Sequence, residues 1–146
     1  MFWDENGILK EEVHFNSGKR EGLTIYFSMT GNETAKIIYK DDIPWSGEWT
    51  TWYPDGSKKE SGRYEEGEKQ SPWSAWYDNG QKRYVMHYHN SLKHGLYTEW
   101  NRQGRLTKDI DYDMGIPISE YIVEYDGDSY VEINRRNNQL SGSWIK

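Results

Sequence analysis

The stretch Trp49-Thr50-Thr51-Trp52-Tyr53-Pro54-Asp55-Gly56-Ser57-Lys58-Lys59-Glu60 is followed, 24 residues on, by Trp73-Ser74-Ala75-Trp76-Tyr77-Asp78-Asn79-Gly80-Gln81-Lys82-Arg83. The same order of aromatics, turn dipeptide and polar run then extends outward in both directions. Turn-type dipeptides recur as Asn6-Gly7, Thr30-Gly31, Asp55-Gly56, Asn79-Gly80 and Gln103-Gly104, with glycine spacings of 24, 25, 24 and 24. Four residues before each glycine stands Trp3, Phe27, Trp52, Trp76 or Trp100, and eight after it stands Phe15, Tyr39, Tyr64, Tyr88 or Tyr112. Two softer columns keep step: Val13, Ile37, Gly62, Met86 and Ile110 six after the glycine, and Thr24, Trp49, Trp73 and Tyr97 seven before it. A fixed period of this length marks a stack of small supersecondary units.

Each unit is an aromatic-rich run, a glycine turn, an alternating run and a second polar loop such as Asn16-Ser17-Gly18 or Glu65-Glu66-Gly67, which is the pattern of a β-hairpin. A lone hairpin cannot bury its apolar face, so units must pair through their edges. The expected fold is all-β: an elongated, twisted antiparallel sheet of stacked hairpins of about 24 residues. Repeat units span roughly 2–118, and 119–146 form a degenerate cap within one domain, 1–146. The cap contains Tyr121-Ile122-Val123-Glu124-Tyr125, the Asp126-Gly127 turn, and a last strand, Gln139 to Ile145, after Asn137-Asn138.

The turn decides which side chains face the core. A two-residue loop at Asp55-Gly56 would place Trp52 on the face of Lys59 and Ser61. A three-residue loop, Pro54-Asp55-Gly56, would place it with Gly62 and Tyr64. Pro suits the first turn position, so the second register is expected. It puts Trp3, Phe27, Trp52, Trp76 and Trp100 in the core with the Tyr64 column. The opposite face then offers Trp49, Tyr53, Trp73, Tyr77 and Tyr97 as anchors for a protein partner.

Composition agrees with a folded chain whose interior is aromatic. Ile, Leu, Val and Phe are only 24 of the 146 residues, below the roughly 20% that usually signals order. Eight Trp and 12 Tyr make up the deficit, since each buries about 150–250 Å². The net charge of −6 is too small to hold the chain open. Without cysteine there is no disulfide scaffold or thiolate site. No apolar run reaches the roughly 18 residues of a membrane helix, and the first residues lack a signal-peptide layout, so a cytoplasmic protein is expected.

The two quoted stretches resemble MORN-variant repeats, the MORN name standing for membrane occupation and recognition nexus. That resemblance implies the hairpin stack. It also implies a binding role, because bacterial proteins of this variant are often described as antitoxin components of toxin-antitoxin systems and other MORN proteins as scaffolds or lipid-associated modules. It supplies no catalytic residue. The first half of the chain departs from the pattern, with Thr24 for the first aromatic and Phe27 for Trp.

Catalytic and metal chemistry find little support. His87 and His89 share a strand face, and Asp109, Asp111 and Asp113 line a later one. Equivalent strands of successive hairpins lie about 9–10 Å apart, whereas zinc ligands sit near 2 Å. Ser46, Ser71 and Ser91 lack a nucleophile-elbow or triad context, and the single glycines make no phosphate loop. No catalytic residue, metal or cofactor is expected. Acidic loops at Asp41-Asp42, Glu65-Glu66-Glu68 and Asp111 to Asp113 would steer a basic protein partner, a toxin nuclease for example. A pI near 5.2 disfavours nucleic acid, and the lack of a polybasic stripe disfavours anionic membranes.

Overall fold

The computed structural model describes residues 1–136 and 139–145, with 140–145 as backbone only. Among them are fifteen strands and no helix, so the all-β class expected from the repeat is the one observed. The first five are β1 (Phe2–Trp3), β2 (Leu9–Glu12), β3 (Phe15–Asn16), β4 (Lys19–Arg20) and β5 (Gly22–Phe27). The central ones are β6 (Glu33–Lys40), β7 (Ile43–Trp52), β8 (Lys58–Glu65), β9 (Glu68–Trp76) and β10 (Lys82–His89). The last are β11 (Leu92–Trp100), β12 (Leu106–Asp113), β13 (Ile116–Asp126), β14 (Ser129–Arg136) and β15 (Gln139–Ile145). Thirteen form one antiparallel sheet in chain order, with β3 and β4 as a separate ribbon between β2 and β5. Asn137-Asn138, after which the last strand is expected, lie outside the described residues.

Two kinds of turn alternate along the sheet. At one end the chain turns through three residues: Tyr53 N–H donates to Ser57 O at 2.8 Å, and Gly56 N–H to Tyr53 O at 2.9 Å. Gly56 has φ +85°, which completes the tight turn that Pro54 begins. The same two bonds recur at Asp4–Ile8, Ser28–Asn32, Tyr77–Gln81 and Asn101–Arg105. At the other end the turns have two residues, Ser17-Gly18, Asp41-Asp42, Glu66-Gly67, Asn90-Ser91 and Met114-Gly115, and both residues of each have positive φ. That geometry matches the right-handed twist of the flanking strands.

The three-residue turn is as expected, yet the core assignment built on it is reversed. Trp52 pairs with Lys58, but the next pair is Thr51 with Glu60, so Lys59 is an unpaired extra residue. A bulge of this kind shifts the register by one and exchanges the two faces. It recurs in every hairpin closed by a three-residue turn: between Trp3/Leu9 and Phe2/Glu11, Phe27/Glu33 and Tyr26/Ala35, Trp76/Lys82 and Ala75/Tyr84, and Trp100/Leu106 and Glu99/Lys108. Trp52 therefore lies on the face opposite Tyr64, and the column Trp3, Phe27, Trp52, Trp76, Trp100 is not the core.

The inner face is built from the two softer columns. Thr24 pairs with Ile37, Trp49 with Gly62, Trp73 with Met86, and Tyr97 with Ile110. Thr24 and Ile37 are fully covered, and Trp73 is 2% exposed. Large and small side chains alternate because neighbouring strands stand only about 4.8 Å apart. Gly62 is the extreme case. A Cβ there would lie 2.2 Å from Trp73 Cδ2, so its missing side chain is the slot that Trp73 fills. The tyrosine column stays on this face as expected, Tyr39 buried to 6% and Tyr64, Tyr88 and Tyr112 half-buried. Phe15 is the exception, 52% exposed against Phe2 at the sheet's beginning.

Candidate partner-binding face

Five anchors were expected from the sequence, and the bulge relocates three of them. Trp49, Trp73 and Tyr97 belong to the inner face. Trp73 meets Tyr64 edge-on at 5.3 Å and Tyr88 at 6.4 Å between ring centres, and Trp49 meets Tyr26 and Tyr64 at 6.0 and 6.2 Å. Lys69 Nζ lies 4.0 Å from the centre of the Trp73 ring. At 2% exposure Trp73 has no surface to give to a partner, which corrects the placement expected for it. Burial raises the pKa of Tyr64 and Tyr88. In Tyr97 burial is joined by a hydrogen bond to Glu99, and in Tyr84 by one to Glu60; both phenols are pushed well up.

Tyr53 and Tyr77, the other two, open the three-residue turns and are half-buried. Their hydroxyls donate to the carbonyls of Trp76 and Trp100 at 2.8 and 3.0 Å. Each bond ties one turn to the first strand of the next hairpin. Between the Tyr77 and Asn101 turns Arg102 adds an ion pair with Asp78, and Asn79 Nδ2 donates to Arg102 O at 2.9 Å. These residues act as a brace that fixes the spacing of neighbouring hairpins.

What the brace holds in place is the column that sequence reasoning had assigned to the core. Trp3, Phe27, Trp52, Trp76 and Trp100 end strands β1, β5, β7, β9 and β11, which are every second strand of the sheet. Their partners on the intervening strands are Leu9, Glu33, Lys58, Lys82 and Leu106. The result is a row across the outer face, near the three-residue turns, in which aromatic and other side chains alternate. Trp3 is 56% and Trp52 39% exposed, and Phe27, Trp76 and Trp100 are half-buried. Lys58 Nζ lies 5.9 Å from the Trp52 ring centre and 5.5 Å from that of Trp76, and Lys82 Nζ lies 5.8 Å from Trp76. Between Phe27 and Trp52 the surface sinks into a groove of about 970 Å³, bordered also by Met29, Thr50 and Lys58.

Three stretches of the chain match a known repeat. Residues 1–17, 45–66 and 69–90 match the MORN repeat variant. MORN repeats are generally modules that bind proteins or membranes. The hairpins around Gly31 and Gly104 lie outside the matched stretches, yet they share the matched hairpins' turn hydrogen bonds and bulge. No curated protein matches the chain.

The remaining candidates are scattered. The His89 and His94 rings stand 6.0 Å apart, and His94 Nδ1 is 3.4 Å from Asp113 Oδ1. Among the described residues no three His, Cys, Asp or Glu side chains converge as metal ligands. The acidic loops lie at the two-residue-turn end, where Lys19 pairs with Asp41 at 3.0 Å, so positive charge is interleaved with the negative.

Proposed function

We propose that this chain is a non-catalytic protein-binding module that neutralises its partner by covering it, as an antitoxin or immunity protein does. The exposed aromatic row supports this reading most directly. Large amphipathic rings on a rigid sheet are the usual anchors of an interface, and a soluble chain rarely leaves such a strip uncovered without a partner. The net charge of −6 favours a basic partner, and a toxin nuclease has that character. A peripheral membrane role fits less well, because anionic leaflets attract clusters of Lys and Arg.

The test is affinity capture from the native cell with two baits, the wild-type chain and Trp52→Asp. Removing a central anchor typically costs about 2 kcal/mol or more, roughly a thirtyfold weakening. A protein retained by the wild type should be lost from the variant while circular dichroism stays the same. Equal recovery on both baits would overturn the reading.

A further inference from the structure

Resting on the reading of the outer face as a protein-binding surface, we infer that the row from Phe27 to Trp100 recognises an extended, proline-rich acidic segment with proline at every third position. The inference comes from matching two periods. Phe27, Trp52, Trp76 and Trp100 stand on alternate strands, and alternate strands lie about 9.4–9.8 Å apart. A polyproline II helix rises about 3.1 Å per residue with three residues per turn, so every third side chain returns to the same side after about 9.3 Å. Over the three gaps of this row the two periods stay in step to within about 1.5 Å. An extended β-strand ligand, with same-side residues about 6.8 Å apart, falls out of step within one gap.

The chemistry of the row fits such a ligand at its centre, where Lys58 and Lys82 make the surface locally basic on a chain of net charge −6. Glu33 and Asp55 beside the groove between Phe27 and Trp52 leave that end to an uncharged residue. Proline rings pack on aromatic faces, and the stiff polyproline helix loses little entropy on docking. The groove of about 970 Å³ between Phe27 and Trp52 supplies one concave seat. Lys58 stands in the gap between Trp52 and Trp76, and Lys82 in the gap after Trp76. Each therefore meets the ligand once per three residues, where a carboxylate following the proline would complete a charge pair. The hydroxyl bonds from Tyr53 to Trp76 O and from Tyr77 to Trp100 O hold the pitch before any ligand arrives, which reduces the cost of binding.

The decisive measurement is calorimetric titration of the full chain with synthetic peptides of two, three and four Pro-Glu-Ala triplets. A control of the same composition has its prolines at irregular spacing. Affinity should rise at least about tenfold from two triplets to four, and the irregular peptide should bind at least about tenfold more weakly than its regular counterpart. Lys58→Glu should reverse the charge preference toward Pro-Lys-Ala triplets. Equal binding of regular and irregular peptides, or no binding of either, would overturn the inference. Should the regular peptide fail while Trp52→Asp still loses the captured partner, the periodic ligand is wrong and the binding face stands. Should Trp52→Asp lose nothing in either assay, both fall.

Discussion

The hairpin β7–β8 and the hairpin β13–β14 are built from similar aromatic and aliphatic material and treat it in opposite ways. In the first, Lys59 interrupts the pairing one step from a three-residue turn, and Trp52 emerges on the outer face at 39% exposure. In the second, eight residue pairs run from Ser119/Arg136 to Asp126/Ser129 without a bulge, closed by a two-residue loop at Gly127-Asp128. Val123 is buried to 5% there, and Tyr125 donates its hydroxyl to Leu106 O at 3.0 Å beside Tyr130. Thr98 pairs with Asp109 and Asp109 with Tyr121, so Val123 and Tyr125 share the outer face with Trp52. The difference teaches that the bulge decides which column points outward, whereas the neighbouring side chains decide how far that face is covered.

The strongest way to break this contrast is Gly62→Val on the inner side of the β7–β8 hairpin. A Cβ at that position already falls 2.2 Å from Trp73 Cδ2, so a branched side chain must expel the indole from its slot. We expect loss of the cooperative thermal transition or a destabilisation on the order of 5 kcal/mol, read by near-ultraviolet circular dichroism and denaturant unfolding. An unchanged midpoint would mean that Trp73 does not depend on that slot.

A smaller effect sharpens the same contrast within one repeat. Trp73→Ala should cost about 3–5 kcal/mol, the usual value for emptying a large buried site. Trp52→Ala should cost less, about 1–2 kcal/mol, because Trp52 is 39% exposed and its loss opens no enclosed cavity. Urea titrations of the two variants side by side check this, and comparable losses would contradict the division into inner and outer faces.

The smallest effect is a pH response that is strongest in the bulged region. Tyr26, Tyr84 and Tyr97 have pKa values raised in the folded state, chiefly by burial, with hydrogen bonds to Tyr39, Glu60 and Glu99 adding to it. Their unfolded pKa is about 10. A raised folded value means that the neutral phenols contribute fully below about pH 10 and that this contribution is lost as pH rises above it. Unfolding midpoints should hold steady to about pH 9.5 and fall by pH 11, less steeply in Tyr84→Phe. A midpoint that rises with alkali would contradict the sign.

How much of this was legible depended on whether the residues themselves carry the signal. Pro54-Asp55-Gly56 announces its turn, because proline fixes one backbone angle and glycine supplies the left-handed one. The bulge residues are three cations, Lys10, Lys59 and Arg83, and two threonines, Thr34 and Thr107. These are the ordinary polar residues of any exposed strand, so nothing in them marks an unpaired position or the change of parity it brings, and parity was misjudged by one. Gly62 was the clue that could have corrected it. A glycine in the column of Ile37 and Met86, with Trp49 and Trp73 seven before their turns, is a space waiting for an indole. The same error moved the expected site. An exposed aromatic strip opposite the core was foreseen, but Trp49, Trp73 and Tyr97 were taken for Trp52, Trp76 and Trp100, because both columns are equally aromatic.

The slot at Gly62 also bears on how such an array can change over generations. Repeats of equal length invite duplication and exchange, and most junctions here would tolerate it on grounds of length alone. The junction between the third and fourth units would not, since an indole and the vacancy that receives it are encoded on opposite sides of the Glu66-Gly67 turn. A crossover that separates them leaves either a collision with a 2.2 Å approach or an empty pocket. An exchange that keeps the fold would therefore carry those two units together, with freer play on either side of them.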